Sequence, residues 1–161
     1  MTIQELFLIQ KQAQHEGMLS VCQKIPAARL DWRPAEGMLS LGQLIRHVWK
    51  SEEGNRRIAF ANDWDYYEAR VPHGLFASLG EVVSLDDELR QIQRVHQETL
   101  RAAEAFPLER WTEVRENAKF HARRTVAVML FRMIEHHVHH RAQIGTCLRL
   151  LTGGPASPYE I

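Results

Sequence analysis

Cysteine is scarce in this chain: Cys22 and Cys147 are the only two among 161 residues, far apart and in no Cys-x-x-Cys motif. One disulfide is the most they could form, and two unpaired thiols in a reducing cytoplasm is the simpler reading. Net charge is absent as well. Twenty Lys and Arg are balanced by twenty Asp and Glu, so the basic footprint of a nucleic-acid binder is missing. The densest basic stretch, His121-Ala122-Arg123-Arg124, is too short to count as a patch. No apolar run approaches the roughly 20 residues that a membrane span needs. The opening Met1-Thr2-Ile3-Gln4-Glu5 carries no charged-then-apolar leader, and the expectation is a cytoplasmic protein. Repeats, low-complexity tracts and linkers are also lacking, so residues 1–161 read as one domain. With 45% hydrophobic and 25% charged residues, that domain has the balance of a globular protein with its own core.

What is present is helix, in four stretches. Thr2 with Glu5 forms a capping-box pattern ahead of a helix running to about Lys24, which Pro26 ends. Ser40 with Gln43 marks a second start, and this helix continues to about Asn62. On its wheel Leu41, Leu44, Val48, Ile58 and Ala59 share an arc, with His47 at the edge and Ser51 and Asn55 interrupting it. A long connection, about Asp63 to Val83, carries Trp64, Tyr66 and Tyr67. Ser84 and the acids after it open a third helix to about Ala105, with Leu85, Leu89, Ile92, His96 and Leu100 on one side. Leu108 to Ala122 is ambiguous, and Trp111-Thr112-Glu113-Val114 could be a short extended piece. The last helix runs from about Thr125 to Leu151, stopped by Gly153-Gly154-Pro155. Four amphipathic helices without a credible sheet predict an all-α four-helix bundle.

Histidine is abundant. Four of the nine lie between His136 and His140. Only His136 and His140 in that run are spaced i, i+4, which stacks two imidazoles on one face a turn apart, able to meet one ion. Both fall in the apolar arc, and His47 supplies a third inward-tending imidazole from another helix. Together they define a metal site between two helices, the place where bundles build them. Three neutral imidazoles leave coordination positions open, as in catalytic sites, and suit one divalent ion, zinc or nickel. An ordinary buried or surface histidine is the competing reading for each residue alone; the joint pattern outweighs it.

The remaining candidates divide by position. Gln143 shares the face of His136 and His140 and could touch a bound ligand, although helix-packing hydrogen bonds more often explain such a residue. His139 falls outside the arc and reads as exposed, whereas His137 falls within it and has Arg141 as its i+4 neighbour. Glu52 and Glu53 could place a carboxylate behind a ligand, but read more simply as solvated helix surface. His96 reads as a satisfied buried histidine before it reads as a ligand. Trp64, Tyr66 and Tyr67 either line a pocket mouth or pin their loop. Met129 and Met133 read as core.

Two blocks of the sequence are similar to a known family. One joins Leu30-Asp31-Trp32-Arg33-Pro34 to Ser40-Leu41-Gly42-Gln43-Leu44-Ile45-Arg46-His47-Val48. The other is Glu135-His136-His137-Val138-His139-His140-Arg141-Ala142-Gln143-Ile144, like a His-x-x-His-His-Arg-x-Gln signature. In these the chain resembles the DinB-like (YfiT-like) metal-dependent enzymes of bacteria. The resemblance implies a four-helix bundle with one non-sequential helix connection, His47, His136 and His140 as the metal triad, and a homodimer. Phe60 and Phe131 read as outward-leaning residues that a second copy could cover. His137 stands where glutamate is common in the family, which removes one possible supporting carboxylate. The implied activity is thiol transfer to small electrophiles with a low-molecular-weight thiol as cosubstrate. A hydrolase, or a non-catalytic metal-binding stress-response protein, is the alternative.

Overall fold

The structure, a computed structural model, describes residues 1–74 and 76–154. Helix α1 spans Ile3–Cys22 and α2 spans Leu41–Ala61. A one-turn helix α3 follows at Asp65–Glu68, then two 3-10 turns at Val71–His73 and Ala77–Leu79. Helix α4 is Leu85–Ala105 and α5 is Val126–Thr152. Both predicted capping boxes form. Glu5 N donates to Thr2 Oγ1 at 3.1 Å while Thr2 N donates to Glu5 Oε2 at 2.7 Å. The Ser40 and Gln43 pair repeats this at 3.2 and 3.1 Å. A good cap stabilises a helix by about 1 kcal/mol, so local sequence sets where α1 and α2 begin. Asn62 and Gly153 adopt the left-handed conformation just beyond α2 and α5 and end them there.

Helix α1 packs against α4 and α5, and α2 packs against the same two. Consecutive α1 and α2 therefore face each other across the bundle, as do α4 and α5. Each helix contributes residues to three successive layers of the interior. Met18, Val48, Ile92 and Ile144 belong to an apolar cluster near one end. Phe7, Ile58, Ala103 and Met133 belong to a second cluster near the other. Between them each helix places polar groups in the middle: Lys11 and His15 from α1, Glu52 from α2, His96 and Thr99 from α4, His137 and His140 from α5. All of these are buried.

The ambiguous segment is a 3-10 turn, Leu108–Thr112, followed by a hairpin of β1 (Val114–Asn117) and β2 (Ala122–Thr125). Its antiparallel register runs from Val114 opposite Thr125 to Asn117 opposite Ala122. Trp111 is thus buried in a turn instead of extended. The hairpin escapes periodicity analysis because neither strand alternates apolar with polar residues. Arg115 anchors it, donating from Nε to the Ala59 carbonyl at 2.9 Å in a buried position.

Phe60 and Phe131 do not lean outward as expected. Each is partly buried in an edge-to-face pair within the chain, Phe60 with Phe106 at 5.2 Å and Phe131 with Phe7 at 6.0 Å. No helix of the described residues is long and apolar enough to cross a membrane, and Cys22 and Cys147 are free and buried.

Candidate metal centre

Helices α2 and α5 bring His47, His136 and His140 together midway along the bundle. His136 Nε2 lies 3.0 Å from His47 Nε2 and 2.9 Å from His140 Nε2. The candidate ligand nitrogens of all three lie within 4.8 Å of one another. Burial is the largest cause holding these rings neutral. It lowers His136 to about 3 and His140 to about 4, each helped by the neighbouring histidines, and lowers His47 with help from Arg70. His140 Nδ1 is 2.6 Å from Gln143 Oε1. An amide oxygen only accepts, so Nδ1 carries the proton and the lone pair of Nε2 faces the other two rings.

Three neutral imidazole nitrogens this close are a donor set that a shared cation would satisfy. Zinc–nitrogen bonds of about 2.0–2.1 Å set tetrahedral ligands roughly 3.3 Å apart. Opening the two close contacts by a few tenths of an ångström brings those pairs to that spacing. The donor set therefore fits one divalent ion. Gln143 sits behind His140, as the partner that metal-ligating histidines usually have on the far nitrogen, and is not among the residues lining the adjoining cavity.

The other histidines separate cleanly. His139 is exposed, as the wheel indicates, with its ring against His140. His137 is buried and turned to α2, where its Nε2 lies 2.7 Å from Glu52 Oε2. That corrects the solvated reading of Glu52. Glu53 is buried as well, paired with Arg57 at 3.1 Å and Arg94 at 3.4 Å. Glu52 also takes the Lys11 ammonium at 3.0 Å. Burial opposes its ionisation, but Lys11 and the hydrogen bond from His137 outweigh that and hold the carboxyl well below the usual range. His96 is buried away from the triad, with Nδ1 3.1 Å from Lys11 Nζ and Nε2 2.9 Å from Gln12 Oε1. These partners fix a neutral tautomer, proton on Nε2 and lone pair toward the ammonium. His15 stacks on His96 with ring centroids 3.6 Å apart.

Sequence reasoning did not find Lys11 and His15 in this layer. Their i, i+4 spacing on the core face of α1, beside Phe7 and Met18, was the available signal. It also did not find most of the wall of a cavity of about 570 Å³ that opens beside His47 and His136. Trp64 and Tyr67 line that cavity, as Met129 does besides packing in the core. Phe120, reached through the hairpin, completes the aromatic side, stacked with Trp64 at 6.2 Å and edge-on to Tyr67 at 4.9 Å. Tyr66 stays outside it, between the Arg57 and Arg70 guanidiniums and against Gly54.

A family model of the DinB superfamily matches residues 10–144, and the chain belongs to that superfamily. Solved structures agree in fold. A DinB-like protein from Bacillus subtilis, YjoA, superposes with a TM-score of 0.74 at 16% identity, covering 96% of both chains. A DinB-like protein from Bacillus cereus ATCC 10987 gives 0.70 at 17% identity over 95% of both. YfiT from Bacillus subtilis, described as a probable metal-dependent hydrolase with an unusual four-helix bundle topology, gives 0.71 at 12% identity, covering 94% of this chain and 89% of its own. No curated protein matches the sequence.

Proposed function

We propose that this DinB protein holds one divalent ion, zinc or nickel, on His47, His136 and His140 and transfers a low-molecular-weight thiol to small electrophiles. The observation that carries the reading is the convergence of three neutral imidazole nitrogens from two helices, with no carboxylate among them. A dication on such ligands keeps nearly its full charge and favours an anionic thiolate beside it. His140 is oriented for this by Gln143, while α2 holds His47 opposite. The cavity beside His47 and His136 gives a small molecule access.

The chain is further proposed to act as one unit in the cytoplasm and as a homodimer, on family resemblance. Sedimentation equilibrium at micromolar concentration tests the dimer, and a monomer there overturns it.

Cobalt substitution followed by titration with several small thiols tests the activity. A sulfur-to-metal charge-transfer band is the expected result. YfiT's description favours a second reading, hydrolysis. It replaces the first if no thiol gives the band while ester or amide substrates turn over.

A further inference from the structure

The cavity beside the triad has a charge that the chain as a whole lacks. Lys50, Arg70, Arg124 and Arg132 line it, against one carboxylate among the described residues, Glu135, in a protein with twenty cations and twenty anions. Elsewhere the arginines are largely consumed by pairing: Arg46 with Glu88, Arg56 with Glu98, Arg57 and Arg94 with Glu53, Arg115 with Glu113. Among the described residues none of the four cavity cations has a carboxylate within ion-pair distance. Arg70 spends its hydrogen bonds on the Ser78 hydroxyl and the Lys50 carbonyl. The hairpin shows the contrast within two residues. In β2, Arg123 pairs with Glu116 outside the cavity while Arg124, on the opposite face, lines it. Trp64, Tyr67 and Phe120 line the same cavity.

We infer that the substrate of this site is a small organic anion whose acidic group is gripped by the cavity arginines, with its apolar body against Trp64, Tyr67 and Phe120. Uncompensated guanidiniums in a partly enclosed site bind carboxylate or phosphate oxygens through charge-assisted, often bidentate hydrogen bonds. Aromatic faces favour flat or apolar carbon beside them. An ion on the triad would add positive charge at the inner end, so the whole site selects for anions and against cations. The inference rests on the proposed use of the triad for its catalytic meaning, but its binding test does not.

The test is calorimetric titration of the full chain with 3-phenylpropionate and with its neutral analogue 3-phenylpropanol. The acid should bind at least about ten-fold more tightly, the effect of one good charge-assisted contact. In the Arg124→Gln/Arg132→Gln double variant the preference should fall to within about two-fold, while Arg123→Gln, altered beside the site, keeps it. Equal affinity for acid and alcohol in the wild type overturns the inference, as does a preference that survives the double variant. Competition by acetate against inorganic phosphate assigns the acidic group to carboxylate or phosphate, and displacement by neither also overturns it. Failure of the thiol reading would appear separately, as a missing charge-transfer band in the cobalt protein with the acid preference intact.

Discussion

His137 donates to Glu52 at 2.7 Å across the same two helices that bring His136 and His140 to His47. The contact lies one residue along α5 from His136 and five along α2 from His47. It therefore fixes the relative height of the helices carrying the triad. Glu52 is held in turn by Lys11 from the opposite side of the bundle. An ion pair this deep is costly to break from one side.

Glu52→Ala should lower stability by about 3–5 kcal/mol, because it leaves the buried Lys11 ammonium without a counter-charge, held only by the neutral His96 lone pair. Chemical denaturation measures it. Replacing both residues, Lys11→Met with Glu52→Leu, should recover most of the loss, since two apolar groups leave no stranded charge. A double variant as unstable as the single one would show that the layer does more than neutralise itself.

Metal content should fall to near zero in His136→Ala and His140→Ala, read by elemental analysis, because two imidazoles offset the dehydration of the ion poorly. Gln143→Ala should keep the ligands but weaken affinity about 10–100-fold, the usual effect of removing the partner of a ligating histidine. His137→Ala should retain the ion. Equal metal in wild type and His140→Ala would remove His140 from the ligand set.

Stability should drop on acidification below about pH 6.5. His15 is pushed down to about 4 and His96 to about 3, in both cases chiefly by burial and then by Lys11. Between those values and the ordinary 6.5 the unfolded chain binds protons that the folded chain does not, so stability rises with pH there and is lost as pH falls. The slope is on the order of 1 kcal/mol per pH unit for each histidine. Urea midpoints from pH 7.5 to 5 measure it, and His47→Ala, emptied of metal, should show a similar fall.

Gly42→Ala should destabilise by about 1–3 kcal/mol through overpacking. A Cβ on Gly42 would lie 2.7 Å from Val82 Cβ and 3.1 Å from the Leu30 carbonyl oxygen. That is where the loop after α1 and the segment before α4 both close on the first turn of α2. Thermal melting checks it; an unchanged midpoint would show that Val82 can move away.

The capped helices were legible because their signals are local: Thr2 with Glu5 and Ser40 with Gln43 each settle a boundary within four residues. The triad was legible because two of its histidines share a helix turn and the third sits on a recognisable wheel edge. Glu52 and Glu53 were not, since a glutamate looks the same on a wheel whether water or Lys11 faces it. The hairpin was not legible either, as Val-Arg-Glu-Asn and Ala-Arg-Arg-Thr have no apolar face to betray a strand. With the hairpin went Phe120 and Arg124 from the cavity wall.

The polar stratum across the middle of the bundle also constrains assembly. Sliding any one helix by a turn, about 5.4 Å, would carry a charged or imidazole side chain into an aliphatic stratum and leave its former partner bare. A uniformly apolar interior would tolerate such slippage with little change in burial. Here each helix has one admissible height. The register that sets His47 opposite His136 and His140 is thereby a by-product of Lys11, Glu52, His96 and His137 finding one another.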